Sequence, residues 1–265
     1  MQSLEMWRKS RKWNDEAAWL RLRAQIRMAE WMVGQHPEKA DWAKALHQAG
    51  AVVSAAGPED SATTLLPRVE NALQPLAAAA KTFKVHCVGH AHIDMNWMWG
   101  WPETVMTTLD SFRTVLTLME EFPDYKFSQS QASVYEIVRQ FDSAMFKTIT
   151  DRIHEGRWEV TASHWVENDM NLVSGEALVR HLLQTRAYMK QHFDLEPEDV
   201  SVCWAPDTFG HPATEPNYLV RGGVRHIYLH RPGYEKQPAP ESFWWVGTDD
   251  SRVLVRNDQR RGYNS

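Results

Sequence analysis

The spacing of apolar positions changes its period once along the chain, near residue 83. Before that point it is helical. In "NDEAAWLRLRAQIRMAEWMVGQ" the residues Trp19, Leu22, Ile26, Ala29 and Val33 recur on one face, with Asn14 or Asp15 as the starting cap and Gly34 as the stop. A second helix is predicted through "KADWAKALHQAGAVVSAA" and a third from about Glu59 to Ala80. No strand signal precedes Phe83, so residues 1–80 read as an all-helical N-terminal segment. Beyond it, short runs rich in apolar and β-branched residues predict strands at "KVHCVG", "YKFSQ", "RWEVTASHWV", "VSVCWA" and "VRHIYL". Helical patterns separate them: about Pro102 to Phe122, "ASVYEIVRQFDSAMFKTITDRIHEG", "SGEALVRHLLQTRAYMKQHF" with Ser174 as cap, and the short "TEPNYLVRGG". Such alternation implies βαβ units and a mostly parallel sheet or barrel. "FWWVGTDDSRVLVRND" differs, being two apolar runs around a turn, a hairpin signal. The predicted class is α/β: a helical segment, then an incomplete (β/α) barrel-like domain over residues 81–265 with mostly parallel strands. The closing "QRRGYNS" follows a strand and brings no helix, so the chain is expected to be truncated.

Composition narrows the classes. Apolar residues make up 43% and charged ones 24%, as in ordinary globular proteins. A net charge of −5 offers no positive field to collect phosphates, which argues against nucleic acid as a partner. The opening "MQSLEMWRKSRKWNDE" has no apolar secretory core, and no run is long enough to span a membrane. Cys87 and Cys203 lack CxxC spacing and are expected to be buried thiols in a cytoplasmic setting. Thirteen tryptophans fit either a rich core or aromatic platforms for a sugar.

Three stretches carry candidate chemistry. In "HAHIDMNWMWGWPET", His90, His92 and Asp94 share a face if the strand continues through them. They fall at the C-terminal end of a strand, where α/β folds place their sites. Imidazole nitrogen and carboxylate oxygen both suit zinc and similar ions. In "CWAPDTFGHPATEP", Asp207 alone would read as a turn aspartate, but it occupies the same strand-end position. In "SHWVENDMNLVSGE", Glu167 and Asp169 follow another strand, as sugar-binding acids, as an acid/base pair, or as solvated loop residues.

Together, "VGHAHIDMNWMWGWPET", "FSQSQASVYEIV", "EGRWEV", "WVENDMNLVSGEALVR" and "WAPDTFGHPATEP" resemble, in order and spacing, the glycoside hydrolase family 38 α-mannosidases over roughly residues 84–265. The resemblance implies one zinc ion held by His92, Asp94 and Asp207, with Asp207 also the nucleophile. It excludes His90 as a ligand, which geometry alone would have included. It makes Trp97, Phe209, Arg231 and Tyr263 substrate-binding residues and gives Glu167 and Asp169 a supporting role. It further implies a retaining mechanism on mannose-containing oligosaccharides or glycosides. The family's fourth zinc ligand, a histidine, and its acid/base carboxylate would lie beyond residue 265, so this chain is expected to turn over little or nothing by itself. Ser163 and His164 depart from the glycine pair that often precedes the family's WVE segment. That leaves His164 as a loop residue or a substitute ligand. An incomplete barrel would expose apolar strand edges, so a homo-oligomer is also expected.

Two other readings remain at this level. A metal-dependent amidohydrolase would use His90 and His92 as an HxH pair, but needs further histidines at later strand ends. A non-catalytic carbohydrate-binding module would keep the tryptophans but has no use for a metal or for Asp207.

Overall fold

Helix α1 (Arg11–Gln35) leads a group of four completed by α2 (Ala40–Ser54), α3 (Ala62–Ala72) and α4 (Gln74–Ala80). The computed structural model describes residues 11–57, 60–231 and 240–258. Contacts divide the chain into two units, Met1–His86 and Cys87–Ser265. The first unit is built on small and aliphatic side chains at helical spacing, among them Leu22, Ala29, Ala45, Ala49, Leu65 and Val69. Helix α1 already runs through Arg11, so neither Asn14 nor Asp15 caps it. The Asp15 carboxylate accepts instead from the Thr63 backbone N–H at 3.2 Å. The single helix expected to end at Ala80 breaks at Leu73, where Pro75 opens a new first turn. Ser61 caps α3, and Thr64 returns a bond to it, a reciprocal capping box.

The second unit alternates as predicted: β1 (Gly89–His90), α5 (Trp101–Glu121), β2 (Phe127–Gln129), α6 (Ala132–Phe141), α7 (Ser143–His154), β3 (Trp158–Val160), α8 (Gly175–Phe193), β4 (Val202–Ala205), α9 (Glu215–Arg221), β5 (His226–Leu229), β6 (Ser242–Val246) and β7 (Arg252–Asn257). Ser174 caps α8 by accepting from the Ala177 N–H. The strands form two sheets, β1-β2-β3 and β4-β5-β7-β6. All pairs are parallel except the β6–β7 hairpin. The α/β class with mostly parallel strands therefore holds.

Three boundaries differ from the sequence expectation. "KVHCVG" forms a strand only at its last residue, because β1 is an edge paired to the three-residue β2 alone and Val85 and Val88 are exposed. Cys87 is consequently exposed rather than buried, while Cys203 is buried as expected. The long helix expected after β2 divides at Asp142, whose carboxylate accepts from the Met145 N–H at 2.9 Å and restarts the chain as α7. Strand β3 stops at Val160, since β2 offers it only three partners, and residues 161–173 leave as a loop.

Tryptophans lie both in the core and at the surface. Trp158 lies in the core of the first sheet, with its ring centroid 4.6 Å from Phe127 and 5.1 Å from Phe112. Its indole N–H donates to the Tyr135 hydroxyl, which donates to the Gln129 carbonyl. Trp204 stacks on Tyr228 at 3.9 Å and meets the His90 ring at 4.7 Å, so it links the two sheets within this unit. Trp97 is exposed.

Candidate metal and substrate site

Five parallel strands deliver polar side chains from their C-terminal ends to one region of the second unit. Just past β1 come His92 and Asp94; past β2, Gln131; past β4, Asp207; past β5, Arg231. The loop leaving β3 adds Glu167. A cavity of about 190 Å³ lies between the first four, lined by His92, Asp94, Gln131, Glu167, Asp169 and Asp207. Each strand is short, so its side chains reach the cavity within a few residues of the ladder's end.

The His92 Nε2 atom lies 3.1 Å from Asp94 Oδ1 and 3.9 Å from Asp207 Oδ2. One donor atom from each of these three residues falls within 4.8 Å of the others. One imidazole nitrogen and two carboxylate oxygens at that separation are a donor set that a zinc-like divalent cation accepts. Burial by itself would lower the His92 pKa, but its hydrogen bond to Glu167 and the charges of Glu167, Asp94 and Asp207 outweigh it and raise the value. Such a concentration of negative charge about one ring is what a bound cation would neutralise.

Glu167 is the least exposed carboxylate of the group, at 8% for its side chain. Its Oε1 accepts from the Asp207 backbone N–H at 2.7 Å and from the Thr208 hydroxyl at 3.0 Å. Its Oε2 faces His92 Nδ1 at 3.3 Å. Gln131 holds the arrangement from behind: its Oε1 accepts from the Glu167 N–H and its Nε2 donates to the Ile93 carbonyl. Gln131 does so at φ 65°, a left-handed conformation costly for a residue with a Cβ. Sequence reasoning missed Gln131, because nothing in "FSQSQAS" marks a glutamine for positive φ. At Gly210 a Cβ would meet only the Asn171 side-chain amide, so a larger residue there requires that amide to move.

At the rim, Arg231 Nε donates to Asp207 Oδ1 at 2.5 Å, and its guanidinium lies 4.6 Å from the Phe209 ring centroid. Phe209 and Trp97 are each 67% exposed. Trp97 stands edge-on to Trp99 at 5.5 Å. Tyr263 lies outside the described residues. His90 lies outside the three-residue group: its ring faces Trp204 and its Nδ1 is 3.4 Å from Ser128 Oγ. Burial, then the charge of His92, lowers its pKa to about 4.

His164 stands apart from the His92, Asp94 and Asp207 group. It is buried beside Ser163 Oγ at 3.0 Å and the Tyr218 hydroxyl at 3.2 Å, outside the cluster. Burial, reinforced by His181, Arg186 and His211, pushes its pKa down to about 3. The folded state therefore takes up this proton later than the unfolded chain. The resulting stability is complete above about pH 6.5, the unfolded value, and is lost as the pH falls toward the folded value of about 3. Urea unfolding of wild type and His164→Gln over that range should show the variant's stability falling less steeply, by up to about one proton. Equal slopes would contradict the burial of a neutral ring.

These strand ends define a class: an α/β domain with a carboxylate-rich cavity, able to hold a cation, at the C-terminal edge of its parallel strands. The chain belongs to glycosyl hydrolase family 38, for residues 82–264 match the Glycosyl hydrolases family 38 N-terminal domain. It is 36% identical over 173 residues to Alpha-mannosidase 2C1 of Homo sapiens, covering 64% of this chain and 16% of that protein. It is 31% identical over 174 residues to Alpha-mannosidase of Saccharomyces cerevisiae, with the same two coverages, 64% and 16%. The chain thus spans about 16% of the length of these relatives. Among solved structures, an alpha-mannosidase from Enterococcus faecalis V583 has the same fold over 64% of this chain and 19% of its own, with a TM-score of 0.57 at 21% identity.

Proposed function

We propose that this chain is the nucleophile- and zinc-bearing part of a retaining α-mannosidase. The observation that carries the reading is the His92–Asp94–Asp207 cluster, with Arg231 bound to Asp207, in a member of family 38. When bound there, zinc supplies a Lewis-acid template for the vicinal 2- and 3-hydroxyls of mannose and helps spread positive charge at the anomeric centre. His92, Asp94 and Asp207 would hold it. Asp207 Oδ attacks the anomeric carbon and the aglycone oxygen leaves, taking a proton from a second carboxyl group. That group then removes a proton from the water that releases mannose from Asp207. Arg231 holds the Asp207 carboxylate toward the cavity, and the exposed faces of Trp97 and Phe209 are available to the sugar ring. The second carboxyl is not assigned among the described residues. Asp94 and Glu167 are committed to the His92 cluster, and the isolated chain is expected to release little or no mannose from an aryl α-mannoside.

The amidohydrolase reading loses support because the residues gathered with His92 are acids and His90 faces Trp204. Two free thiols, Cys87 and Cys203, support a cytoplasmic setting, and the exposed Val85 and Val88 beside the β1 edge support self-association. Among the described residues no helix is long and apolar enough to cross a membrane.

Calorimetry of methyl α-mannoside on the zinc-loaded chain tests the reading without requiring turnover. Binding should be lost on zinc removal and should be about tenfold weaker for methyl α-glucoside, whose 2-hydroxyl is equatorial and trans to its 3-hydroxyl where that of mannose is axial and cis. A tenfold difference corresponds to about 1.4 kcal/mol. Equal binding with and without zinc would exclude a metal-templated mannose site.

A further inference from the structure

We propose that Glu167 is a positioning residue that fixes His92 as a metal ligand and ties the Asp207 turn to it. The inference rests on reading the cluster as a metal site and extends it to a residue outside the donor set. The geometry is specific. A neutral imidazole carries one proton, and only the bare nitrogen can bind a metal. Nε2 is the His92 nitrogen directed at Asp94 and Asp207. It is bare only if the proton sits on Nδ1, which faces the nearly buried Glu167 Oε2. A carboxylate accepts and never donates, so Glu167 favours a proton on Nδ1 as Asp94, 3.1 Å from Nε2, favours one on Nε2, and a cation that takes Nε2 leaves the Nδ1–H to Glu167. This is the carboxylate–histidine arrangement that orients metal-bound imidazoles.

The same carboxylate has a second task. Its Oε1 accepts from the Asp207 backbone N–H and the Thr208 hydroxyl, so one side chain joins the loop after β1 to the turn after β4. The two halves of the cluster belong to different sheets, β1 to one and β4 to the other, and among the described residues no ladder joins these sheets. Glu167, itself clipped by Gln131, supplies that link.

Glu167→Gln separates this role from simple packing, because its shape is almost unchanged. If the amide oxygen keeps the Asp207 and Thr208 bonds, its NH₂ faces His92 Nδ1 and forces the proton onto Nε2. If the amide flips, its NH₂ confronts the Asp207 N–H, two donors face to face. Either way one half of the cluster is lost. Zinc affinity, read by calorimetry, should fall about 10- to 100-fold in Glu167→Gln, the usual effect of removing such a partner.

The readout independent of zinc is the ring nitrogen spectrum of ¹⁵N-histidine-labelled, metal-free protein carrying Asp94→Ala, which removes the competing carboxylate at Nε2, recorded at a pH where the ring is seen to be neutral. With Glu167 present His92 should be the Nδ1–H tautomer, and with Glu167→Gln added to a folded chain it should be Nε2–H. A ring protonated on Nε2 with Glu167 present overturns the proposal even if Glu167→Gln fails to fold. So does a Glu167→Gln chain with wild-type zinc affinity and an unchanged tautomer. If wild type binds no zinc yet the Asp94→Ala chain shows Nδ1–H with the expected change on Glu167→Gln, the metal reading fails and the positioning role stands.

Discussion

Replacing Asp207 by alanine should weaken zinc binding to the chain by about 100-fold. Structural zinc sites with four ligands bind with about 10–16 kcal/mol, so one ligand accounts for roughly 3 kcal/mol, or two decades in affinity. Asp207 lies on the far side of the cluster from the β1 loop, and its loss leaves His92 and Asp94, two residues apart on one loop, as the remaining pair. Two donors from one loop form a weak and poorly directed site. Asp169→Ala is the control, since Asp169 lines the same cavity outside the cluster. Calorimetric titration should leave its zinc affinity within about threefold of wild type, a change of some 0.7 kcal/mol. A comparable loss in both variants would mean that general negative charge, not a defined ligand set, draws the cation.

The largest stability effect should come from Trp158→Ala, a loss of about 3–5 kcal/mol. Trp158 is 1% exposed and meets Phe112, Phe127 and Tyr135 at once. Its removal opens a cavity that three rings cannot collapse into, and it leaves the Tyr135 hydroxyl without its indole donor. The effect reaches the site because Trp158 opens β3, whose outgoing loop carries Glu167. In urea the midpoint should drop with an unchanged slope. Trp158→Phe, which keeps most of the volume, should lose less than half as much. A loss below about 1 kcal/mol for Trp158→Ala would contradict a core packed around this ring.

What was legible in the sequence was mainly what is local. The i, i+2 spacing of His92 and Asp94 at a strand end, and Asp207 just past another, made them candidates, but the strand pattern equally included His90, and only the resemblance to family 38 singled out the three. The structure brings all three together. The shared face of these residues was conditional on the strand running on through Asp94; β1 ends at His90, and the grouping survives because a loop leaving the strand still faces the cavity. Strand lengths were not legible. An apolar run predicts burial, but "KVHCVG" also needs a ladder partner, and the one available is three residues long. The roles of Glu167 and Gln131 were hidden for a different reason. Each depends on contacts across tens of residues to loops whose mutual approach no local pattern encodes. His164 was open to a ligand role for the same reason. Its neighbours Tyr218 and Cys203 are distant in sequence, and only the fold buries it among them.

The central claim is that His92, Asp94 and Asp207 form one zinc site. Diffraction from zinc-soaked crystals of the chain, collected on both sides of the zinc absorption edge, tests it most directly. The account predicts a single strong anomalous peak within about 2.0–2.2 Å of His92 Nε2 and of an oxygen from each aspartate. A peak held by other residues, or no peak there at saturating zinc, would contradict it.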